Sequence, residues 1–254
     1  MLKRFSLGLF ISFFSYILSS CGSPENSDST TFAGKQLTGK EWQHINRAKT
    51  FVAVDKWFAY KNSKVSFFEC LKKTGVDQYI ATFNANLLGG TTPDFHLTNA
   101  EKAGLDLSVY YAWNNETGLS ADNIEIFLET IKNFDIQHVF IDIETPAGKN
   151  TDDHVYELYQ SVCVEAGYDC GVYTNHWGMS NAKYPLKPKT PLSTLPLWYA
   201  DGSNSVIPVR YFKDPFRGWK QSHGRQTFLN DKLCGQMIDV SVFDKSIFGN
   251  IIEL

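Results

Sequence analysis

The sequence predicts an α/β protein built as an irregular, TIM-like (β/α) barrel, with five β/α units followed by three strands. Two observations predict this fold class. Short apolar runs alternate with amphipathic stretches from residue 50 to residue 174, which is typical of parallel strands joined by crossover helices. Beyond Asn175 the chain is rich in proline and keeps strand-like runs without convincing helices between them. Closure into an eight-stranded barrel is the simplest arrangement, and an open doubly wound sheet is the alternative.

The first five strands and their helices are predicted from local patterns taken in order. Apolar side chains and a cysteine recur at helical spacing over residues 65–73, and the next helix closes on Gly104, as helix C-termini often do. Ser120 is the candidate N-cap of the third helix. The predicted strands are 51–54, 79–83, 107–113, 137–144 and 170–174, and the helices are 65–73, 94–104, 120–134 and 152–167.

The last third is predicted to add three strands, at residues 197–200, 217–221 and 236–240. The segment PLKPKTPLSTLPLW holds too many prolines for a long helix. No GxGxxG or Walker-type loop follows an early strand, so nucleotide binding has no support.

Length and charge narrow the function classes. The chain has 254 residues, of which about 230 would remain after loss of an N-terminal signal, and this suits one large domain. The net charge of -3, from 24 Lys and Arg against 27 Asp and Glu, lacks the basic footprint of a nucleic-acid binder. Aromatic residues make up 15% of the chain, which fits sugar binding as well as ordinary core packing.

The N-terminal segment, residues 1–21, is predicted to be a targeting signal. Lys3 and Arg4 precede a largely apolar run that is too short to span a membrane comfortably. The run ends in LSSCG, which resembles a bacterial lipobox and makes Cys21 a candidate for lipidation; a plain secretory signal is the alternative. We therefore expect an exported protein, either a membrane-anchored lipoprotein or a secreted one.

The segment after the signal is predicted to be a flexible polar linker. Residues 22–45 are rich in Ser, Thr, Gly and charge, with too few apolar residues to pack. Such a linker would hold the barrel domain, residues 46–254, away from a membrane surface.

The remaining cysteines number four and allow three disulfide connectivities. Cys163 and Cys170 bracket a helix end and a strand start, a reversal that could bring them within bridging range, so they are the favoured pair. The pairing of Cys70 and Cys234 stays open. Zinc is not favoured, because no CxxC or His-rich spacing accompanies the cysteines.

Acidic residues at strand ends are candidates for chemistry, because the active site of a parallel barrel lies at the C-terminal ends of its strands. Asp55 ends the first predicted strand, Asp142 and Glu144 end the fourth, and Asp239 lies in the eighth. Closure makes the first and eighth strands neighbours, so we expect the four carboxylates to face one cleft. Strand-end capping or pairing with Lys and Arg is the alternative for any one of them.

Asp142 and Glu144 form the strongest pair, because residues two apart on a strand point to the same face. Two close carboxylates repel when charged, which raises one pKa and keeps a proton bound near neutral pH. Glycoside hydrolysis needs one protonated and one charged carboxyl, and Glu144, the outermost, is the better acid by reach. A Mg²⁺ or Ca²⁺ site is the less favoured interpretation. We expect no metal and no cofactor.

A series of motifs over residues 50–245 carries a family resemblance: VAVDKW, PDFHLTNAEKAGLDLSVYYAW, VFIDIE, GVYTNHW, PLWYADG, GWKQS and GQMIDVSVF. In this order they resemble glycoside hydrolase family 25, the Chalaropsis-type lysozymes. That family hydrolyses the β-1,4 bond between N-acetylmuramic acid and N-acetylglucosamine in peptidoglycan, on a barrel with five β/α units and three further strands. The resemblance implies a lysozyme (N-acetylmuramidase) whose partner is the peptidoglycan glycan strand; we expect a monomer.

The resemblance implies Glu144 as general acid and Asp142 as its partner, with Asp55 and Asp239 shaping or charging the subsite. Whether Asp142 orients the N-acetyl group of the substrate or assists water stays open. The chain departs from the family at VDKW, where Asp is usually followed by any residue and then Ser, and in the second strand, YIATFNANLLGG, which lacks a basic residue near its end. The substrate-binding candidates are Tyr111, Tyr173, Asn175, Trp198 and Gln221, each with core packing or a turn role as the alternative.

Two other functions are weighed against the muramidase. A non-catalytic glycan-binding barrel would keep the cleft without turnover. A chitinase-like hydrolase is disfavoured, because that family has a further Asp two residues before the DxE motif and position 140 here is Phe.

Overall fold

The computed structural model describes residues 46–56, 63–83, 93–112, 121–144, 151–175, 191–202, 207–216 and 218–248. The predicted signal, the lipidation candidate Cys21, the linker up to residue 45 and the N-cap candidate Ser120 lie outside these ranges. Within them, no helix is long and apolar enough to cross a membrane.

The described residues form ten strands and four α-helices, close to the predicted positions in the first five units. The strands are β1 (Thr50–Asp55), β2 (Gln78–Phe83), β3 (Asp106–Ala112), β4 (Ile136–Ile143), β5 (Cys170–Thr174), β6 (Leu197–Ala200), β7 (Tyr211–Phe216), β8 (Trp219–Gln221), β9 (Gly224–Leu233) and β10 (Gln236–Asp244). The helices are α1 (Val65–Thr74), α2 (Pro93–Lys102), α3 (Ala121–Ile131) and α4 (Thr151–Tyr159), with a π-helical turn at Gln160–Glu165 and 3₁₀ turns at Pro191–Thr194 and Lys245–Phe248.

Eight of the strands close into a barrel in the order β1-β10-β9-β6-β5-β4-β3-β2. The strands β1 to β6 pair in parallel, each with the next, and β6 also pairs in parallel with β9. The last strand, β10, runs antiparallel to both of its neighbours, β9 and β1. The predicted fold class, an irregular TIM-like barrel, is confirmed, and the open-sheet alternative is wrong.

The predicted seventh barrel strand, residues 217–221, is wrong. Trp219–Gln221 instead pairs with β7 in a separate two-stranded sheet, and the seventh barrel strand is β9. The side chain of Trp219 in this segment is buried. It is buried outside the barrel, where its indole N–H donates to the carbonyl of Leu195 at 2.8 Å and its ring stacks on Phe216.

Strand alternation gives the barrel two separate apolar layers, because successive side chains point to opposite faces. The outer layer packs the strands against the helices and includes Val52 and Val54 of β1. The inner layer fills the barrel. Its members are Phe51, Ala53, Ile80, Tyr110, Ala112, Phe140, Tyr173, Trp198, Phe243 and Ile247.

The inner layer depends on a glycine at a close contact between two strands. A Cβ built on Gly224 of β9 would lie 2.2 Å from the ring of Phe243 on β10. Phe243 in turn stacks on Phe51 of β1, with ring centroids 5.1 Å apart. Large rings therefore seal the barrel interior below the level at which the acidic residues lie.

Two disulfides join described cysteines. Cys163–Cys170, the favoured pair, is confirmed. Cys70 of α1 is bonded to Cys234, 164 residues later, which settles the pairing that the sequence left open. Cys234 and Gly235 form the two-residue turn between β9 and β10 with φ values of 51° and 81°, the left-handed pair that a type I′ hairpin requires.

Candidate active site

The four predicted acids meet at one end of the barrel. Asp55 ends β1 and lies in register with Asp239 on the antiparallel neighbour β10. Asp239 is well inside its strand rather than at its end, and it reaches this mouth because β10 runs in the opposite direction to the others. Asp142 is the inward residue near the end of β4, and Glu144 follows that strand directly.

An aromatic floor lies directly beneath the acids. Trp198 of β6 is 1% exposed, and its indole N–H donates to the hydroxyl of Ser241 at 3.1 Å. The ring of Tyr173 packs on it at a centroid distance of 4.3 Å, and Tyr110 lies 6.3 Å from Tyr173. The acids are therefore desolvated from below, which disfavours their charged forms.

Asp55 is the deepest acid with a fixed partner. Its side chain is 4% exposed, and the amide of Gln226 on β9 donates to both carboxylate oxygens at 3.1 Å. Burial raises the pKa of Asp55 well above its usual value, the charges of Asp239 and Glu144 add to the increase, and the Gln226 hydrogen bonds oppose it.

Asp142 is as deeply buried, at 3% exposure, and its Oδ1 has no hydrogen-bond partner among the described residues. Burial raises the pKa of Asp142 well above its usual value, and the carboxyls of Glu144 and Asp55 raise it further. This oxygen of Asp142 is thus buried without a hydrogen-bond donor from the part of the chain that the structure describes. Such an atom is available to a donor group on a bound molecule.

Glu144 is half-buried at the mouth, one layer above Asp142. Asn175, the residue after β5, donates its amide N–H to Oε1 of Glu144 at 2.9 Å. Burial raises the pKa of Glu144, hydrogen bonds from Asn175 and Tyr173 lower it, and the charge of Asp239 raises it. Because Asn175 occupies Oε1, an acidic proton would reside on Oε2.

Asp239 has the environment most favourable to a negative charge. A bulge between β9 and β10 gives Asn230 a φ of 54° and turns its backbone N–H onto Oδ1 of Asp239 at 2.6 Å. Burial raises the pKa of Asp239, and both this hydrogen bond and the nearby Lys56 ammonium lower it. Lys56 itself donates to Oε1 of Gln236 at 3.0 Å and borders the same wall of the cleft.

Comparison with known proteins gives the barrel a family context. No protein-family model and no curated protein matches the sequence. Among solved structures, a family 25 glycosyl hydrolase from Bacillus anthracis matches with a TM-score of 0.56 and 16% identity, over 79% of this chain and 91% of that one. A muramidase from Trichobolus zukalii matches with a TM-score of 0.52 and 17% identity, over 78% of this chain and 95% of that one.

The chain has the fold of the family 25 glycoside hydrolases. The modular autolysin LytC from Streptococcus pneumoniae, in complex with a synthetic peptidoglycan ligand, also has this fold in part. It matches with a TM-score of 0.57 and 17% identity, over 78% of this chain and 48% of that one.

The predicted substrate-binding residues do not all lie at the same place in this family 25 fold. Asn175 and Tyr173 contact the acids or their partners. Trp198 lies in the floor and is covered by Tyr173, so it supports the site from below. Gln221 lies in the separate two-stranded sheet, outside the barrel.

Tyr111 points away from the acids. It is 2% exposed in the outer layer, with its ring 5.3 Å from both Phe83 and Phe127. The preceding residue, Tyr110, points into the barrel and hydrogen-bonds with the hydroxyl of Thr82. Alternation along β3 explains the difference, because the prediction was one residue out of phase.

Gln226 is the main residue that sequence reasoning missed. It lies in GRQTF, between the predicted strands at residues 217–221 and 236–240, in a segment that contains an arginine and follows a serine and a histidine. The signal that could have found it is the β-strand alternation of Gly224, Gln226 and Phe228, once the preceding WKQ is excluded from the barrel. Among the described residues, no group of three or more His, Cys, Asp or Glu is arranged to hold a metal ion.

Proposed function

We propose that this protein is a glycoside hydrolase that cleaves the β-1,4 bond between N-acetylmuramic acid and N-acetylglucosamine in peptidoglycan. The observation that carries the proposal is Glu144, half-buried at the mouth of a family 25 barrel, with a raised pKa and one oxygen held by Asn175. A carboxyl in that environment keeps its proton at higher pH than a solvated one. It can then donate the proton to the leaving glycosidic oxygen.

Asp142 supports the proposal through its Oδ1, which has no hydrogen-bond partner among the described residues. A buried carboxylate acceptor directly below the proposed acid suits either of two roles: accepting the N–H of the 2-acetamido group of the substrate, or accepting a proton from an attacking water. Asp55 and Asp239, paired across β1 and β10, would supply negative charge to the oxocarbenium-like centre of the transition state.

The substrate class is supported by two of the structural relatives. The LytC structure holds a synthetic peptidoglycan ligand, and the Cpl-1 endolysin, also similar to this chain, was solved with a peptidoglycan analogue. Action outside the cytoplasm is supported by the two disulfides, because such bonds persist in oxidising compartments. Lipidation of Cys21 and the 22–45 linker remain part of the proposal.

The test is digestion of purified peptidoglycan, followed by borohydride reduction and mass analysis of the released fragments. A muramidase leaves reduced muramic acid at the new end, whereas a glucosaminidase leaves reduced glucosamine. We expect Glu144→Gln to lower the rate by about 10²–10⁴-fold, the usual contribution of a general acid. Glu125→Gln, a change of the same kind on the exposed face of α3, is the matched control and should retain full activity.

Two results would contradict the proposal. If Glu144→Gln cleared cell-wall suspensions as fast as the parent, Glu144 would not be the acid. If the parent bound muropeptides but generated no reducing ends, the barrel would be a glycan-binding protein rather than an enzyme.

A further inference from the structure

The β9–β10 hairpin extends past the mouth of the barrel on the side of Asp239. Asp55, the last residue of β1, pairs with Asp239 of β10, and β10 begins three residues earlier, at Gln236. Because β10 is antiparallel to β1, these earlier residues continue in the direction in which β1 points. At about 3.3 Å per residue they carry the hairpin roughly 10 Å beyond the two acids. The hairpin therefore forms a wall beside the upper part of the cleft.

The face of this wall that is directed toward the cleft carries Met237. Ile238 and Val240 are buried in the outer layer. Strand alternation then turns Asp239 and Met237 to the opposite face, about 7 Å apart. Asp239 faces the cleft beside Asp55, so Met237 faces it one step further out. Met237 is 46% exposed, and its flexible thioether side chain is open to a ligand above the acids.

Lys232 lies beside Met237 on the same face. The two residues are partners in the antiparallel ladder between β9 and β10. Directly opposite residues on such strands point to one side of the sheet, with their Cβ atoms about 5 Å apart. The side chain of Lys232 is exposed. This part of the wall therefore combines an apolar surface with a positive charge.

The hairpin is tied to the body of the barrel near its tip. Cys234, in the turn, is disulfide-bonded to helix α1. Oε1 of Gln236 accepts hydrogen bonds from Lys56 and Ser63 at 3.0 and 3.3 Å. The two side chains that face the cleft thus belong to a fixed surface, and a ligand that binds them does not have to order the hairpin first.

We propose that Met237 and Lys232 are specificity-determining residues that bind the lactyl group of muramic acid and the peptide attached to it. This inference rests on the proposed hydrolase function and names the part of the substrate that the wall contacts. The lactyl group distinguishes muramic acid from N-acetylglucosamine. It carries a methyl group, and its peptide adds further methyl groups and at least one carboxylate.

The chemistry of the wall favours this substituent over a bare sugar ring. The thioether of Met237 can pack against methyl groups, and the ammonium of Lys232 can pair with a carboxylate. A ring of N-acetylglucosamine has an apolar face but no charge, so it leaves Lys232 without a partner of opposite sign. The peptide-bearing lactyl group matches both side chains.

The test measures binding in Glu144→Gln, in which slow turnover keeps the ligand intact. The probe is a tetrasaccharide of alternating N-acetylglucosamine and peptide-bearing N-acetylmuramic acid, titrated by calorimetry. Adding Met237→Ser should raise the Kd about five- to tenfold through the lost apolar contact. Adding Lys232→Ser should raise it about two- to fivefold through the lost ion pair.

Matched controls and altered ligands identify the part of the substrate that is bound. Val164→Ser in the π-helical turn and Lys220→Ser in β8 change exposed side chains outside the barrel and should leave the Kd unchanged. When the carboxyl groups of the peptide are amidated, Lys232→Ser should lose no affinity, whereas Met237→Ser should keep its full effect. Neither change should affect binding of an N-acetylglucosamine tetramer.

Several outcomes would overturn the inference. One is an unchanged Kd for the intact muropeptide in both variants, and another is no muropeptide binding at all. Equal losses on the muropeptide and on the N-acetylglucosamine tetramer would assign the wall to the sugar ring instead. A Lys232→Ser loss that persisted on the amidated ligand would exclude the ion pair. The hydrolase proposal fails separately, if the parent releases no reducing ends, because the binding comparison needs no turnover.

Discussion

The four acids of the cleft differ in what surrounds each carboxylate. Asp55 is held by an amide, and Glu144 is held on one oxygen by Asn175. One oxygen of Asp142 has no partner within the described ranges, and Asp239 is stabilised by a backbone N–H and by Lys56. The four side chains carry the same carboxyl group, but their different environments give them different pKa values. Asp239 is the best site for a charge, and Glu144, half-buried at the mouth, is open to a substrate.

Asn175 provides a residue-scale prediction about the pH dependence of activity. Its hydrogen bond to Oε1 stabilises the charged form of Glu144 and lowers its pKa. Asn175→Ala should therefore raise that pKa and move the high-pH limb of kcat/KM up, by about one pH unit. Asn175→Asp adds a like charge beside Glu144 and should move the limb further. The measurement is a pH-rate profile on soluble muropeptide.

The order of the three proteins checks this prediction. We expect the limb to lie lowest in the parent, higher in Asn175→Ala and highest in Asn175→Asp. A limb that moved down in either variant would show that Asn175 does not stabilise the Glu144 carboxylate.

At the scale of elements, the β9–β10 hairpin forms the wall of the cleft that holds Asp239. Its bulge turns the Asn230 N–H onto that acid, and Gln236 near its turn accepts from Lys56. The turn residue Cys234 is bonded to Cys70 in α1. The disulfide thus ties the last strand pair to the first helix of the barrel.

The two disulfides should contribute unequally to stability. Chain-entropy estimates give about 5 kcal/mol for a closed loop as long as Cys70–Cys234 and about 2–3 kcal/mol for one as short as Cys163–Cys170. Their separations are 164 and 7 residues. Urea unfolding of the Ser double variants should show the larger loss for the Cys70 and Cys234 pair. Equal losses would contradict the prediction and would indicate that the reduced unfolded chain keeps its ends close.

How well each feature could be predicted depends on how far apart in the sequence its interacting residues lie. Strand and helix alternation is local, so β1 to β5 and their helices were predicted within a few residues. The Cys70–Cys234 bond joins distant segments and has no local signal. Trp219 was misplaced because burial against the outside of a barrel and burial inside it look alike in sequence. Among site residues, the acids were predicted from strand ends, whereas Gln226 was missed because an isolated amide does not distinguish a buried strand from a loop.

At the scale of the whole molecule, the barrel buries acidic side chains in an apolar interior, and this burial reduces the free energy of unfolding. Burial raises the pKa values of Asp55, Asp142, Glu144 and Asp239, so the native state binds protons that the unfolded chain has already released. The stability that depends on those protons is complete below the unfolded pKa of the acids, near pH 4, and is lost as pH rises through the folded values. The pKa values of buried His138 and half-buried His223 are lowered, so the stability that depends on their neutral forms is lost as pH falls, which is the opposite direction.

Asp142→Asn isolates the contribution of one buried acid to the free energy of unfolding. Parent and variant have the same histidines, so the effect of the histidines cancels when the two stabilities are subtracted. Below about pH 4 the two proteins should differ little, since Asp142 is protonated in both the native and unfolded parent. As pH rises, the variant should gain, reaching about 1–3 kcal/mol of extra stability at pH 8, because it no longer has to bury a charge or hold a proton against solvent. Urea unfolding at each pH measures this difference. Asp214→Asn, the same chemical change at an exposed position of β7, is the control. A gain for Asp142→Asn that was independent of pH, or one that shrank as pH rose, would mean that this carboxyl is not held above its unfolded pKa in the native barrel.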